Sequence, residues 1–272
     1  MPHSTSRIGA GLLATASALV IGLGSASPAD ASPITPQLNS GVAPGGNFDL
    51  SHWELELPTG STGNTTTIAP AQLKGANGFQ DKYFYTSSSD GSMTFWDPEN
   101  GVTLGSSYPR TELREMDSSG NPAEWNPATG THTLSATLSS DKVPDHVCVG
   151  QIHDDNSQPG SKPLLELYYY SNGDIKMGLE QTPAGGNEPQ TPVTTVAPGK
   201  KWSYVISLTG GNTINLTVTS GSTTKTMHWA IPSSFYGYLM YFKAGDYDQS
   251  TGSSSTVGAL VHFYALSFHH SS

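Results

Sequence analysis

Disulfide-forming and cationic side chains are what this sequence has least of. Cys148 is its single cysteine, so no intrachain disulfide can staple the fold and burial of apolar surface must hold it. Flanked by Val147 and Val149, that cysteine reads as a small buried hydrophobe rather than a nucleophile. Lysine and arginine together number 12 against 22 acidic residues, a formal net charge of -10. Such a balance argues against nucleic acid or an anionic membrane as the main partner. Long apolar runs are missing beyond the first few dozen residues, and none approaches the roughly 20 residues a membrane span needs. Sustained helical periodicity is absent too, which excludes helical bundles and alternating α/β architectures.

The start of the chain is different in character. Arg7 precedes an apolar, small-residue run from Ile8 to Gly24, and Ala29-Asp30-Ala31 supplies an A-x-A cleavage pattern. Residues 1–31 therefore read as a secretory signal peptide cut before Ser32, and the expected product is secreted and extracellular. Residues 32–45 read as a loose lead-in and 46–272 as one catalytic domain, since no linker or fixed-period repeat divides them.

Within that domain strands are predicted nearly everywhere. Lys201–Gly221 is two β-rich runs joined at Gly210-Gly211-Asn212, and Leu164–Glu180 is another pair turning at Asn172-Gly173. Short helices are expected only around Pro70–Leu73 and Pro232–Tyr236. The fold class is all-β: a single-domain antiparallel β-sandwich of jelly-roll type with a concave substrate groove. Asn64 and Asn215 head glycosylation acceptor triplets.

Only three arginines occur, and two of them, Arg110 and Arg114, share the stretch YPRTELREM. On a strand, residues i, i+2 and i+4 share a face. Arg110, Glu112 and Arg114 then stand together, with Thr111 and Leu113 behind. In VGQIHDD the same rule pairs Gln151 with His153 and sends Ile152 to the core. In YFKAGDYDQ it aligns Tyr241, Lys243, Tyr247 and Gln249 against Phe242 and Ala244. Solvated faces usually carry Thr, Ser and Lys; these three carry Arg, Gln, His, Lys and Tyr. A guanidinium fork binds carboxylate bidentately, Gln, His and Lys can add to it, and His and Tyr can move protons. The implied ligand is a carboxylated sugar, and the implied chemistry is removal of a proton alpha to its carboxylate, made acidic by neutralising that charge.

PRTELRE, GQIHDD and YFKAGDYDQ, in this order, resemble the three signature regions of the polysaccharide lyase family 7 alginate lyases, and FDLSHWELELPTG resembles the opening strand of their domain. The resemblance spans residues 46 to 268. It implies a β-jelly-roll that cleaves alginate, an anionic polysaccharide of mannuronate and guluronate, by β-elimination without a cofactor or required metal, and a monomer is expected. Carried onto this chain, Arg110, Gln151 and His153 are carboxylate neutralisers or base and Tyr247 is the catalytic tyrosine. Arg114, Glu112, Lys243, Tyr241 and Gln249 are expected to bind substrate. Asp248 stands where the family commonly has Asn, and alternation turns it away from the groove. Isoleucine at position 152 resembles members acting on guluronate-containing blocks. Nearby Arg and Lys charges are expected to favour an ionised Tyr247.

Other readings use the same residues. Arg110 and Arg114 could be surface ion pairs with Glu112 and Glu115, and His153-Asp154-Asp155 could hold calcium. A jelly-roll glycoside hydrolase would recruit Glu112 with Glu166 or Asp154, and a carbohydrate-binding module would need neither His153 nor Tyr247. Another polyuronate, poly-mannuronate or glucuronan, would suit the same site. Tyr168, Tyr169 and Tyr170 could stack on sugars, although alternation puts at least one of them in the core.

Overall fold

Strands alternate with tight turns from Trp53 to the end of the chain in the computed structural model, which describes residues 37–155, 162–210 and 212–272. The expected signal peptide lies outside the described residues. In chain order the strands are β1 (Trp53–Ser61), β2 (Asn64–Ile68), β3 (Phe84–Thr86), β4 (Met93–Pro98), β5 (Thr111–Glu115), β6 (Thr131–Lys142), β7 (His146–Asp154) and β8 (Leu165–Tyr170). They continue as β9 (Asp174–Leu179), β10 (Gln190–Thr195), β11 (Trp202–Thr209), β12 (Thr213–Ser220), β13 (Thr223–Ala230), β14 (Met240–Asp248) and β15 (Gly258–Ser271). An eight-stranded sheet runs β10-β9-β8-β7-β14-β5-β1-β2, and a seven-stranded sheet runs β13-β12-β11-β6-β15-β4-β3. All named pairs are antiparallel, as the jelly-roll reading requires.

The two expected hairpins form, β8 with β9 and β11 with β12. Gly173 closes the first at φ +89°, a left-handed conformation that glycine adopts without steric cost. The first expected helix forms at Pro70–Leu73, and the second shortens to a single 3-10 turn at Ser233–Phe235. The lead-in, where described, is fastened rather than loose. Ala43 N–H donates to Ala76 O at 2.9 Å, and the Asn47 amide donates to Asn39 O at 2.9 Å and Gly91 O at 3.1 Å.

The core lies between the sheets. Trp53, Phe84, Phe95, Trp202, Phe242 and Phe263 are all buried in it, and burial of a large apolar side chain is worth about 1.5–3 kcal/mol. Phe84, Phe95 and Phe263 stack edge-to-face across β3, β4 and β15 with centroids 5.2 and 5.3 Å apart. Among the polar ties between the sheets, the Tyr204 hydroxyl on β11 donates to Val149 O on β7 at 2.9 Å. Gly150 makes room for it, because a Cβ there would stand 2.6 Å from that hydroxyl oxygen.

The edge strand β13 is largely exposed, whereas every residue of β14 is buried. β14 runs through the middle of the eight-stranded sheet, with core on one side and a groove floor on the other. Its alternation therefore separates apolar from polar side chains rather than buried from exposed ones.

Candidate active site

Cross-strand register places the polar side chains. Glu54 on β1 faces Arg114 on β5, Arg114 faces Lys243 on β14, Lys243 faces Gln151 on β7, and Gln151 faces Glu166 on β8. Tyr241 faces His153 one step along. Behind this row, Leu55, Leu113 and Ala244 line up on the core side. The polar row floors a cleft of about 350 Å³ whose lining includes Arg110, Arg114, Gln151, His153, Tyr241, Lys243 and Tyr247. Ser106 and Leu104 wall it on one side and Lys162 and Pro163 on another. The three sequence motifs thus converge.

Tyr247 reaches the groove through a break in the ladder. Between Ala244 and Tyr247, β14 carries one more residue than β7 opposite it. Gly245 sits in this bulge at φ +152°, and a Cβ there would lie 2.8 Å from both Glu112 Cα and Thr111 O. Only glycine fits such an approach. β7 is irregular at the same level against β8, between Cys148 and Gly150. Cys148 therefore packs with Tyr168 and Tyr247 beneath the groove, not with Val147 and Val149 in the main core. It is buried, as expected of a small hydrophobe.

Beneath the floor lies Glu112, with 0% of its surface exposed. Its Oε2 takes Arg110 Nη1 at 3.1 Å and Lys243 Nζ at 2.5 Å. Its Oε1 takes a short hydrogen bond from Gln151 Nε2. Burial would push this carboxyl up, but the charges of Lys243 and Arg110 and the hydrogen bonds from Lys243 and Gln151 outweigh it, and the group stays below the ordinary range. Glu112 was expected to bind substrate; instead it is inaccessible and orients three residues that do face the groove. It is neither a surface ion-pair partner nor free to act as a hydrolase carboxylate. Asp154 is equally buried and lies outside the groove lining, so of the carboxyls a hydrolase could recruit only Glu166 reaches the cleft, without Glu112 as an accessible partner.

The cations rest on aromatic rings. The Arg110 guanidinium lies 3.8 Å from the Tyr247 ring centroid and that of Arg114 4.1 Å from Tyr241, an arrangement that pre-orients them. His153 stacks on Tyr241 at 5.3 Å. Its Nδ1 is 2.9 Å from Asp154 O, so Nδ1 carries a proton donated to that carbonyl and Nε2 is left bare. Burial lowers the His153 pKa first, and the Lys243 charge adds to this against the pull of Asp154. The imidazole is neutral and competent as a base.

Tyr247 behaves otherwise than expected. Burial raises its pKa, the Arg110 charge only partly offsets this, and the Glu166 charge adds to the rise. The phenol is held protonated, which suits an acid. Lys243 is lowered by burial and by Arg110 against the pull of Glu112. Gln249, like Glu112, is an expected binding residue that the groove lining leaves out. Its amide donates to Tyr247 O at 3.2 Å. Asp248 turns inward as alternation predicts, bonded to the Ser250 hydroxyl at 2.7 Å. Of the three neighbouring tyrosines, Tyr169 is in the core, Tyr168 lies under the groove, and Tyr170 stacks on His146.

A larger cavity, about 600 Å³, opens on the opposite face of β5 around Trp53, Trp125, Phe268 and His270. It holds no arginine or lysine, so carboxylate chemistry belongs to the smaller cleft.

The alginate lyase family model matches residues 48–270. The chain belongs to the alginate lyases of polysaccharide lyase family 7. Its fold is similar to that of the family 7 alginate lyase A1-II′, whose variant in complex with product (GGG) superposes with a TM-score of 0.73 at 35% identity, covering 85% of this chain and 100% of that one. An alginate lyase from Pseudomonas aeruginosa gives 0.73 at 31% identity, over 82% and 100% of the two chains. In sequence, an alginate lyase from Klebsiella pneumoniae is 27% identical over 84% of this chain and 91% of its own.

For an alginate lyase the groove's charge is less one-sided than its ligand suggests. Four cations (Arg110, Arg114, Lys162 and Lys243) line it beside three carboxyls (Glu54, Glu56 and Glu166), with Glu112 beneath. Glu54, Glu56, Ser106 and Lys162 gained no role from the sequence, because they stand outside the three motifs and only cross-strand register brings them in.

Proposed function

We propose that this chain depolymerises alginate by β-elimination, preferring guluronate-containing blocks, and leaves unsaturated uronate ends. The observation that carries this reading is one patch of Arg110, Gln151 and Lys243, clamped from below by Glu112, beside a neutral His153 and a protonated Tyr247. Arg110 and Gln151 take up the carboxylate of the reacting uronate and spread its charge, which acidifies the proton at C5. Nε2 of His153 removes that proton, and the Tyr247 hydroxyl supplies one to the leaving oxygen at C4.

Guluronate presents these two atoms on opposite faces, so it needs a separate base and acid. Mannuronate presents them on one face, where a single tyrosine must ionise before it can act twice. The raised pKa of Tyr247 supports the two-residue route, and Ile152, buried behind the Gln151–His153 pair, is the residue the family resemblance links to guluronate. The N-terminal signal pattern supports export to the extracellular space, where polymeric alginate is met.

Incubation with poly-guluronate, poly-mannuronate and glucuronan separately tests the reading through ultraviolet-absorbing unsaturated ends. Fastest release from poly-guluronate is expected. Fastest release from glucuronan would reassign the substrate, and reducing ends formed without unsaturation would make the enzyme a hydrolase.

A further inference from the structure

Past Gln151 the groove floor continues onto β8, where Glu166 stands opposite Gln151 and lines the cleft. Opposite Glu166 on β9 is Gly178. The missing side chain at Gly178 leaves a space that Glu188 occupies: a Cβ at 178 would overlap its carboxyl. The Glu188 carboxyl thereby fills the side-chain position directly opposite Glu166. The Tyr168 hydroxyl donates to Glu188 Oε2 at 3.0 Å. Two carboxyls packed side by side cannot both ionise easily, since like charges at close range favour keeping a proton on one of them, and a second carboxylate here would add negative charge to a groove that must hold a polyanion.

We propose that Glu166 and Glu188 share one proton and form a binding subsite one strand beyond the reacting uronate, where Glu166 meets hydroxyls of the neighbouring sugar. The proposal rests on the alginate reading of the groove. Strand spacing is about 4.8 Å, roughly the size of a sugar ring, so the next residue of a chain lying across the strands falls over Glu166. Loss of the shared proton sets a second negative charge against the polyanion and closes the subsite.

The surroundings support this. Burial raises Glu188 to about 8, with Glu166 and Glu180 adding to the rise and Tyr168 opposing it. Burial also raises Glu166; the Tyr168 hydrogen bond and the Arg110 charge oppose this, and Glu112 adds to it. The other titratable groups nearby are Cys148 on β7, Tyr247 on β14 and Lys162 in the segment before β8.

KM and kcat on poly-guluronate, followed by unsaturated ends from about pH 6.5 to about 9.5, test the proposal in the full chain. Wild-type KM is expected to rise about five- to tenfold through the ionisation, the scale of one like charge within a Debye length. Glu188→Gln removes the second charge, so the rise should flatten, with the change in KM rather than kcat. Tyr168→Phe removes the hydrogen bond that favours ionisation and should move the rise to higher pH. This second variant decides the matter if Glu188→Gln does not fold. A wild-type KM flat with pH, or the same rise at the same pH in every variant, would overturn the subsite while leaving the lyase reading intact. Absence of unsaturated ends in the wild type at about pH 6.5 would instead sink the lyase reading, and the subsite with it.

Discussion

Replacing Glu112 by glutamine keeps the shape of the side chain and removes only its charge. The carboxylate is fully buried and receives Arg110, Lys243 and Gln151. Glutamine cannot neutralise the two cations, and its amide N–H₂ would face one of the donors. Removing one partner of a buried ion pair costs about 3–5 kcal/mol, because the remaining charge is left uncompensated. In a domain of this size each kcal/mol moves Tm by about 2–4 °C, so a fall of about 6–20 °C is expected at neutral pH. The pH dependence has a definite sign. Glu112 has a folded pKa below its ordinary 4.5, so its contribution is present above that value and fades as pH falls through the lower folded one. The gap between wild type and Glu112→Gln should therefore narrow in acid. Thermal unfolding at about pH 7 and about pH 3.5 reads both effects. A Tm loss under about 2 °C at pH 7, or a gap that widens in acid, would refute the role given to Glu112.

Other consequences are as direct. Asp97 and Asp246 are buried, with Asp246 lacking a hydrogen-bond partner at either oxygen; burial raises both pKa values well above 3.8, and the charges of Asp97 at Asp246 and of Asp248 at Asp97 add to the rise. The folded state then holds protons that the unfolded state releases, so stability falls as pH rises above about 4; Asp246→Asn should raise Tm by an amount that grows between about pH 5 and about pH 8. Gly245→Ala should cost about 1–3 kcal/mol and lower activity further, since the added carbon meets Glu112 Cα and Thr111 O and shifts both Lys243 and Tyr247; unfolding and turnover measured together check this. KM for the polymer should rise with salt, which screens charges over about 8 Å at physiological ionic strength, and a flat KM would show that Arg110, Arg114, Lys162 and Lys243 do not capture the substrate electrostatically.

Period-2 alternation is a property of the local backbone, so it was legible wherever the ladder is regular. Gln151, His153, Tyr241 and Lys243 share the groove, and Ile152, Phe242 and Ala244 share the core. The same rule was blind to the bulge at Gly245 and the irregularity at Gly150, which decide the neighbours of Tyr247 and Cys148. It also gives a face and not a depth, so Glu112 looked like a substrate ligand although it lies under the residues it orients. Charge proximity suggested an ionised Tyr247, but burial outweighs Arg110. The Glu166–Glu188 pair depends on a β8 residue and one in the segment before β10 meeting over a glycine on β9, and no sequence period records that.

The division of labour between His153 and Tyr247 is tested most directly by the rate at which unsaturated ends appear on poly-guluronate and poly-mannuronate for Tyr247→Phe and His153→Asn. Tyr247→Phe removes one oxygen beneath the Arg110 guanidinium and should lower turnover on both polymers by about 100- to 10,000-fold, the usual weight of a general acid. His153→Asn keeps a hydrogen-bonding side chain but removes the bare Nε2, so its loss should be heavier on poly-guluronate. Equal losses for His153→Asn on the two polymers would recast His153 as a carboxylate neutraliser, and full activity of Tyr247→Phe would contradict the mechanism outright.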